Sequence, residues 1–316
     1  MNRELDSEHP VLLHREKLDA EFIRAVFLSL VAHLAIFVVV VISVWIGGWR
    51  TVQPAAVTYT VGLVSLEEGS PLMIYTQKLA SRLAGIMPRE KVEIGMRYGD
   101  PSIFSGLERL MREGVENLTI IPLYPQFSHT TTSSIYDAVD LALDELGWKP
   151  EQVRISDYFD NRAWVVAIAD SIREFQHHHG KPEKLLFSLH GIPQRYVAEG
   201  DPYQEHCEQS VRAVVAELGL ESDEWVLAYQ SRVGREPWLQ PYTDETLKAL
   251  AGDGVRHVQV LCPGFAVDCL ETLEEIAMQN REFFEEAGGE KLEYIPALND
   301  SEAHARVMQD LLTHST

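Results

Sequence analysis

Cysteine is scarce in this chain of 316 residues: there are three, Cys207, Cys262 and Cys269, and none sits in a CxxC spacing. That excludes a disulfide framework, argues against a zinc knuckle, and makes a reducing compartment the default for the body of the chain. Basic charge is also short. Lys and Arg number 27 against 48 Asp and Glu, a formal net charge of -21. A nucleic-acid binder needs a basic face for the phosphates, so no nucleic-acid partner is expected. An acidic surface can attract cations, although solubility is the plainer account of it. Neither a Walker loop nor a GxGxxG turn is present, which disfavours nucleotide chemistry.

What the amino-terminal part does have is one long apolar run. Residues 1–24 are polar, and Ala25 to Trp49 then contain no Asp, Glu, Lys or Arg. At about 1.5 Å per residue such a helix crosses a bilayer core of roughly 30 Å with some tilt. The run is too long and starts too late for a cleaved signal peptide. A single transmembrane helix over residues 25–49 is therefore expected. Arg3, Arg15, Lys17 and Arg24 precede it, whereas after Arg50 the next basic residue is Lys78. By the positive-inside rule that count places the amino terminus in the cytoplasm and the rest of the chain across the membrane. Residues 50–66 read as a Pro/Ala linker running into a possible strand.

From Glu67 onward, short β-rich runs alternate with helical periodicity. Strands are expected at Val92–Met96, Leu118–Leu123, Val153–Ser156, Lys184–Leu189, Val226–Tyr229, His257–Leu261 and Leu292–Ile295. Helices are expected at Ser102–Arg112, Ile135–Leu146, Ala163–Phe175, Tyr203–Leu218 and Leu270–Ala287. Such alternation predicts an α/β fold with parallel sheets covered by helices. An internal echo adds to this. VEIGMRYGDPS leading to GVENLTIIPLYPQF parallels WVLAYQSRVGREPW leading to GVRHVQVLCPGF, with Arg-x-Gly at Arg97 and at Arg232. Two related lobes facing each other are expected, over residues 67–158 and 159–316. Ligands of such sheets bind beyond the carboxyl ends of the strands, where both Arg-x-Gly loops, Ser128, His190 and Asp268 fall.

LFSLHGIPQRY puts His190 at the end of an apolar strand, poised over a crevice; a structural role bonded to nearby backbone is the alternative. PGFAVDCLETLEEI supplies Asp268, Glu271, Glu274 and Glu275. On an α-helix Glu271 and Glu275 share a face, with Glu274 beside it. Carboxylates crowded in this way repel one another unless a cation or a helix amino terminus lies near, and oxygen ligands with an imidazole suit ferrous iron. A solvated acidic face is the competing account.

The strings LFSLHGIPQRYVAEGDPY, YQSRVGREPWLQPYTDE, PGFAVDCLETLEE and YIPALND resemble ferrochelatase, as do EEGSPLMIYT, MRYGDPSI and LYPQFSHTTTSS. The resemblance runs in order from about Glu67 to Leu312. It implies two Rossmann-like lobes with a porphyrin in the cleft between them and insertion of Fe2+ into protoporphyrin IX to form protohaem, iron being a substrate. It further implies that His190 contacts the metal, that Glu271 is its partner carboxylate, and that Asp268 is their acidic neighbour. Arg97, Tyr98, Tyr124, Ser128 and Trp238 fall on motifs that line the cleft. Arg97 and Arg232 are candidates for the porphyrin propionates, with ordinary salt bridges as the alternative. Cys269 stands where some relatives carry a second histidine. No cysteine follows Ile295, so no iron–sulfur cluster is expected.

The resemblance is interrupted at the amino terminus. Ferrochelatases open with a strand carrying an Asn-Leu-Gly-Thr-Pro loop and then helices that form one lip of the cleft. Here residues 1–66 stand instead, and SLVAHLAIFVVVV…YTVGLVSL is similar to TonB/TolA-type membrane anchors. Thr58–Leu66 has the alternation to replace the first strand. An exposed apolar cleft floor and weaker porphyrin binding are expected. The family implies a body in the cytoplasm, against the positive-inside count. The rival function is a membrane-tethered tetrapyrrole-binding protein with impaired catalysis.

Overall fold

Residues 70–314 are described by the computed structural model. The expected membrane span, the linker and the possible strand at Thr58–Leu66 lie outside them. Among the described residues no helix is long and apolar enough to cross a membrane.

Two parallel sheets organise the body. The smaller pairs β1 (Asn117–Ile120) with β2 (Glu151–Arg154), Leu118 facing Gln152. The larger has the order β4-β3-β5-β6, with β3 at Lys184–His190, β4 at Trp225–Gln230, β5 at His257–Leu261 and β6 at Lys291–Ile295. All of its pairings are parallel. The helices are α1 (Pro71–Ile86), α2 (Ile103–Arg112), α3 (Ser134–Leu146), α4 (Arg162–His179), α5 (Gln194–Ala198), α6 (Tyr203–Leu218), α7 (Thr243–Gly252), α8 (Arg281–Glu286) and α9 (Glu302–His314). Two π-helical segments join them, His129–Ser133 ahead of α3 and Glu271–Asn280 ahead of α8.

The β3 sequence KLLFSLH has no solvent-exposed face because both sides of the strand are covered. Leu185, Phe187 and Leu189 enter one core with Trp164, Ile168 and Ile172 of α4 and Cys207, Val211 and Val214 of α6. Leu186 enters the other, with Ala228, Leu247, Val258, Val260, Ile276 and Phe284. Strand side chains alternate, so Ser188 and His190 lie on the face of Leu186, the side against which Ile276 of the π-helix packs. A third core holds Ile103, Leu107 and Leu110 of α2, Leu118 of β1, and Val139, Ala142 and Leu143 of α3. Local signals set the helix ends. Ser102 caps α2 by accepting from the Ser105 amide at 3.1 Å, and Asn161 caps α4 by accepting from the Trp164 amide at 3.1 Å. Gly219 ends α6 in the left-handed region, at φ 69°.

Three expectations need correcting. Val92–Met96 alternates like a strand but joins no ladder among the described residues; it makes only a parallel bridge from Met96 to Ser102. Leu270–Ala287 is not a uniform α-helix, since ten residues from Glu271 are π-helical. The echo also has a different register from the one Arg-x-Gly suggests. The Met96 amide donates to Pro101 O at 2.7 Å, and the Tyr229 amide donates to Pro241 O at 2.8 Å. Met96 bridges Ser102 as Tyr229 bridges Tyr242. Met96 thus corresponds to Tyr229, and Arg97 corresponds to Gln230. Arg232 lies two residues beyond, in a longer loop.

At the amino-terminal ends of the strands, Glu293 of β6 collects His257 at 2.8 Å, Gln259 at 3.0 Å, His179 at 3.0 Å and Lys291 at 2.8 Å. Burial works to raise its carboxyl, but the hydrogen bonds from Lys291, Gln259, His257 and His179 outweigh it and hold the pKa at about 2 against an ordinary 4.5. A depressed carboxyl stabilises the fold fully above its unfolded pKa and loses that contribution as pH falls from about 4.5 towards 2. The shift corresponds to about 3 kcal/mol. Glu293→Gln should therefore flatten the acid limb of stability against pH in that window, as read by urea midpoints at stepped pH. An unchanged slope would contradict this account.

Candidate active site

The loops after β3, β4 and β5 converge at one end of the larger sheet. His190, the last residue of β3, is half-buried, and its Nδ1 lies 2.7 Å from the Gly191 carbonyl oxygen. A carbonyl only accepts, so Nδ1 carries the proton and Nε2 presents a lone pair. The rings of Trp238 and Phe265 are centred 6.4 and 6.3 Å from the imidazole. Trp238 holds its own loop by donating from Nε1 to Val233 O at 2.8 Å. Gly191 is needed for close approach: a Cβ there would stand 3.0 Å from Gln230 O and 3.3 Å from the Trp238 ring.

Glu271 is exposed and opens the π-helix. Beside it Cys269 is buried, and burial first, then the Glu271 charge, push its thiol far up. With no metal beside it the group is therefore held as a thiol. Tyr124 keeps 39% of its surface exposed, yet the surrounding protein desolvates its phenol, and Cys269, Glu271 and Tyr98 add to the upward push. Tyr98 is 63% exposed. Tyr98 and Tyr124 come from loops of the smaller-sheet half, Cys269 and Glu271 from the larger, so one electrostatic neighbourhood draws on both.

Several sequence candidates have other occupations. Asp268 is 3% exposed, and its carboxylate accepts from Tyr294 Oη at 2.6 Å, Asn299 Nδ2 at 2.6 Å, Thr272 Oγ1 at 3.0 Å and the Ala297 amide at 3.4 Å. These donors occupy both oxygens, and they pin the start of the π-helix to the chain after β6. Ser128 is fully buried, and its hydroxyl donates to Asp201 Oδ2 at 2.8 Å while capping the first π segment. Arg232 is paired with Asp244 at 3.1 Å and Glu245 at 3.0 Å and lies over the Tyr242 ring. These two carboxylates occupy its guanidinium here. Arg97 differs. Its Nε donates to Ser134 O and Oγ, both at 2.9 Å, and no carboxylate among the described residues pairs with it.

The structure adds Phe265, Gln230 and Ser231. All three lie inside the PGFAVD and YQSRVG strings, but no residue-type signal separates them from packing residues. Ser231 has φ 65° and gives its amide, at 2.8 Å, and its hydroxyl to Glu275. That carboxylate is a fastener between loop and π-helix. Among the described residues no three or more His, Cys, Asp or Glu side chains converge to hold a metal ion.

A body of this kind recurs in solved structures of chelatases. SirB from Bacillus subtilis with Fe3+ superposes with a TM-score of 0.56 at 13% identity, over 78% of this chain and 92% of that one. The cobalt complex of a sirohydrochlorin chelatase SirB gives 0.53 at 13% identity, over 78% and 91%. At such identity the likeness speaks for the fold alone, which is that of the metal-chelatase class. The sequence goes further. The ferrochelatase family model matches residues 38–316. Ferrochelatases of Yersinia pestis and Yersinia pseudotuberculosis are 49% identical over 252 residues, which is 80% of this chain and 79% of theirs. The chain belongs to the ferrochelatase family, the porphyrin metal chelatases of haem synthesis, for which Fe2+ and porphyrin are substrates. The match begins at Val38, well upstream of Glu67, so the likeness is longer than the motif strings alone indicated.

Removing the Asp268 carboxylate leaves the Tyr294 hydroxyl and the Asn299 amide without this acceptor in a buried place, while Thr272 keeps the Cys269 carbonyl oxygen. Each such group costs about 1–3 kcal/mol. Asp268→Ala should therefore lower unfolding free energy by about 3 kcal/mol or more in urea titration; a loss below about 1 kcal/mol would remove Asp268 from this role.

Proposed function

We propose that His190 and Glu271 handle the metal and the protons when Fe2+ enters protoporphyrin IX. Two pyrrole N–H protons must leave as the divalent ion enters, so charge balances and protohaem is the product. The observation that carries this reading is the Nδ1 bond to the Gly191 carbonyl, which leaves the Nε2 lone pair for a pyrrole proton or for iron. Glu271, exposed at the head of the π-helix, balances the ion's charge on the way in and passes protons to water. The macrocycle must be held bent for its nitrogen lone pairs to meet the ion. Trp238, Phe265, Tyr98 and Tyr124 offer the flat surfaces for that, and the terminal nitrogens of Arg97 meet a propionate. Asp268 and Ser128 act on positions, not on substrate.

We further propose one membrane span over residues 25–49 with the enzyme body in the cytoplasm, where iron and porphyrin are supplied. Its length and absence of charge support the span, while the basic residues ahead of it argue for the opposite orientation. Carboxyl-terminal reporter fusions should give cytoplasmic fluorescence; alkaline phosphatase activity would reverse the assignment.

With purified protein, His190→Ala should lose at least about a hundredfold in iron insertion while still quenching porphyrin fluorescence on binding. Retained turnover would remove His190 from the mechanism, and wild-type protein that binds porphyrin without metalating it would favour the tethered binding protein. Arg97→Ala should raise the porphyrin KM about tenfold and Arg232→Ala by less than about twofold. The reverse order would exchange their roles.

A further inference from the structure

The residue beside His190 in the sheet is Gln230, its register partner across β3 and β4. It lies on the face of Ala228, towards the π-helix, and is 3% exposed. Both ends of its amide are engaged. Oε1 accepts from Ser188 Oγ at 2.7 Å and from the Cys262 thiol at 3.3 Å, and Nε2 points at the Glu271 carbonyl oxygen at 3.5 Å. That last contact is at the long end of hydrogen bonding. Since a carbonyl only accepts, the amide nitrogen must face Glu271 and the amide oxygen must face Ser188. Ser188 then spends its proton on Gln230, so Thr243, 2.8 Å away, donates to Ser188. The result is a directional buried chain from Thr243 through Ser188 and Gln230 to the backbone of Glu271. Next in sequence, Ser231 fastens Glu275. The end of β4 thus grips the π-helix at its first residue and again near its middle.

The other half repeats the arrangement. Arg97, the counterpart of Gln230 in the hydrogen-bond register, donates from Nε to the Ser134 carbonyl where the first π segment ends. In each half a side chain at the matching position of the hydrogen-bond register reaches across to a backbone carbonyl at one end of a π segment.

We propose that Gln230 is a positioning residue for iron insertion: through its amide it holds the first residue of the π-helix, and so the Glu271 carboxylate, in place relative to His190. The proposal rests on the reading of Glu271 as the iron-handling carboxylate. A neutral side chain suits the task, because a charged one beside the iron path would itself bind or repel the ion.

The test is steady-state iron insertion by the full chain with Fe2+ and porphyrin varied separately. The variants are Gln230→Leu and Gln230→Met, which lose both polar ends of the amide without adding a charge. Each should raise the iron KM about tenfold and leave the porphyrin KM within about twofold. A merely structural role would lower the melting temperature and the active fraction with the iron KM unmoved, and that result would overturn the proposal. In a Glu271→Gln background the Gln230 variants should add no further rise in iron KM, and a full additional rise would also overturn it. Glu271→Gln alone separates the two readings. If it turns over as the wild type does, the reading of Glu271 fails and the proposal goes with it. If it is impaired while the Gln230 variants keep the wild-type iron KM, the positioning role alone is wrong. Should neither Gln230 variant fold, Ser188→Ala frees the amide to rotate and should raise the iron KM about threefold; no rise would again overturn the proposal.

Discussion

Strand β3 is hydrogen-bonded on both sides, to β4 and to β5, and His190, Gln230 and the loops of the larger sheet take their places from that ladder. A parallel strand in this position must be buried on both faces, which is why it carries Leu185, Leu186, Phe187 and Leu189 in succession. It ends at His190, where the apolar run stops. The loops after β4 and β5 end at the same edge because parallel strands share a direction. Convergence of the histidine with Trp238 and Phe265 follows from strand order and direction, not from any attraction among those rings.

The π-helix is the second constraint, and it is held from outside. An α-helix closes its own hydrogen bonds tightly, whereas a π-helix is wider and rare, and most often short. Here ten residues keep this form while Asp268 clamps the start, Ser231 holds Glu275, Gln230 reaches the Glu271 carbonyl, and Asn280 Nδ2 donates to Glu275 O at 2.7 Å near the end. A buried carboxylate such as Asp268 is costly to desolvate, and four donors offset that cost. Acidic residues that seemed equivalent along the sequence divide into two kinds. Glu271 faces solvent, whereas Asp268 and Glu275 are committed to holding the backbone.

Much of the fold was legible. His257–Leu261 and Tyr203–Leu218 match the expected bounds residue for residue, and Lys184–Leu189 misses only the histidine at its end. Each is marked by an unbroken apolar run or a clear helical period. Val92–Met96 has the alternation of a strand but no ladder partner among the described residues, and periodicity says nothing about neighbours. The π form of Glu271–Asn280 was not legible either, since its apolar spacing passes for an α-helix. The Arg-x-Gly echo misled for a related reason: sequence letters matched, while the backbone bonds of Met96 and Tyr229 match two residues away.

Residue types and motif strings determined that this chain is an α/β chelatase of the ferrochelatase family and that His190 and Glu271 are its leading metal-side candidates. They could do so because strand and helix periods are local, and because long ordered motifs carry information that no single residue has. Only the tertiary structure decided which polar groups are free. Arg97 and Arg232 read alike, but one lacks a carboxylate partner among the described residues and the other has two. Ser128, on a cleft-lining motif, and Asp268, read as the acidic neighbour of the metal pair, are hydrogen-bonded to Asp201 and to Tyr294 and Asn299, partners distant in sequence. Gln230, unremarkable in its string, stands next to His190 because β4 pairs with β3 in that register. A side chain's availability depends on its partners in space, and those partners are brought up by folding.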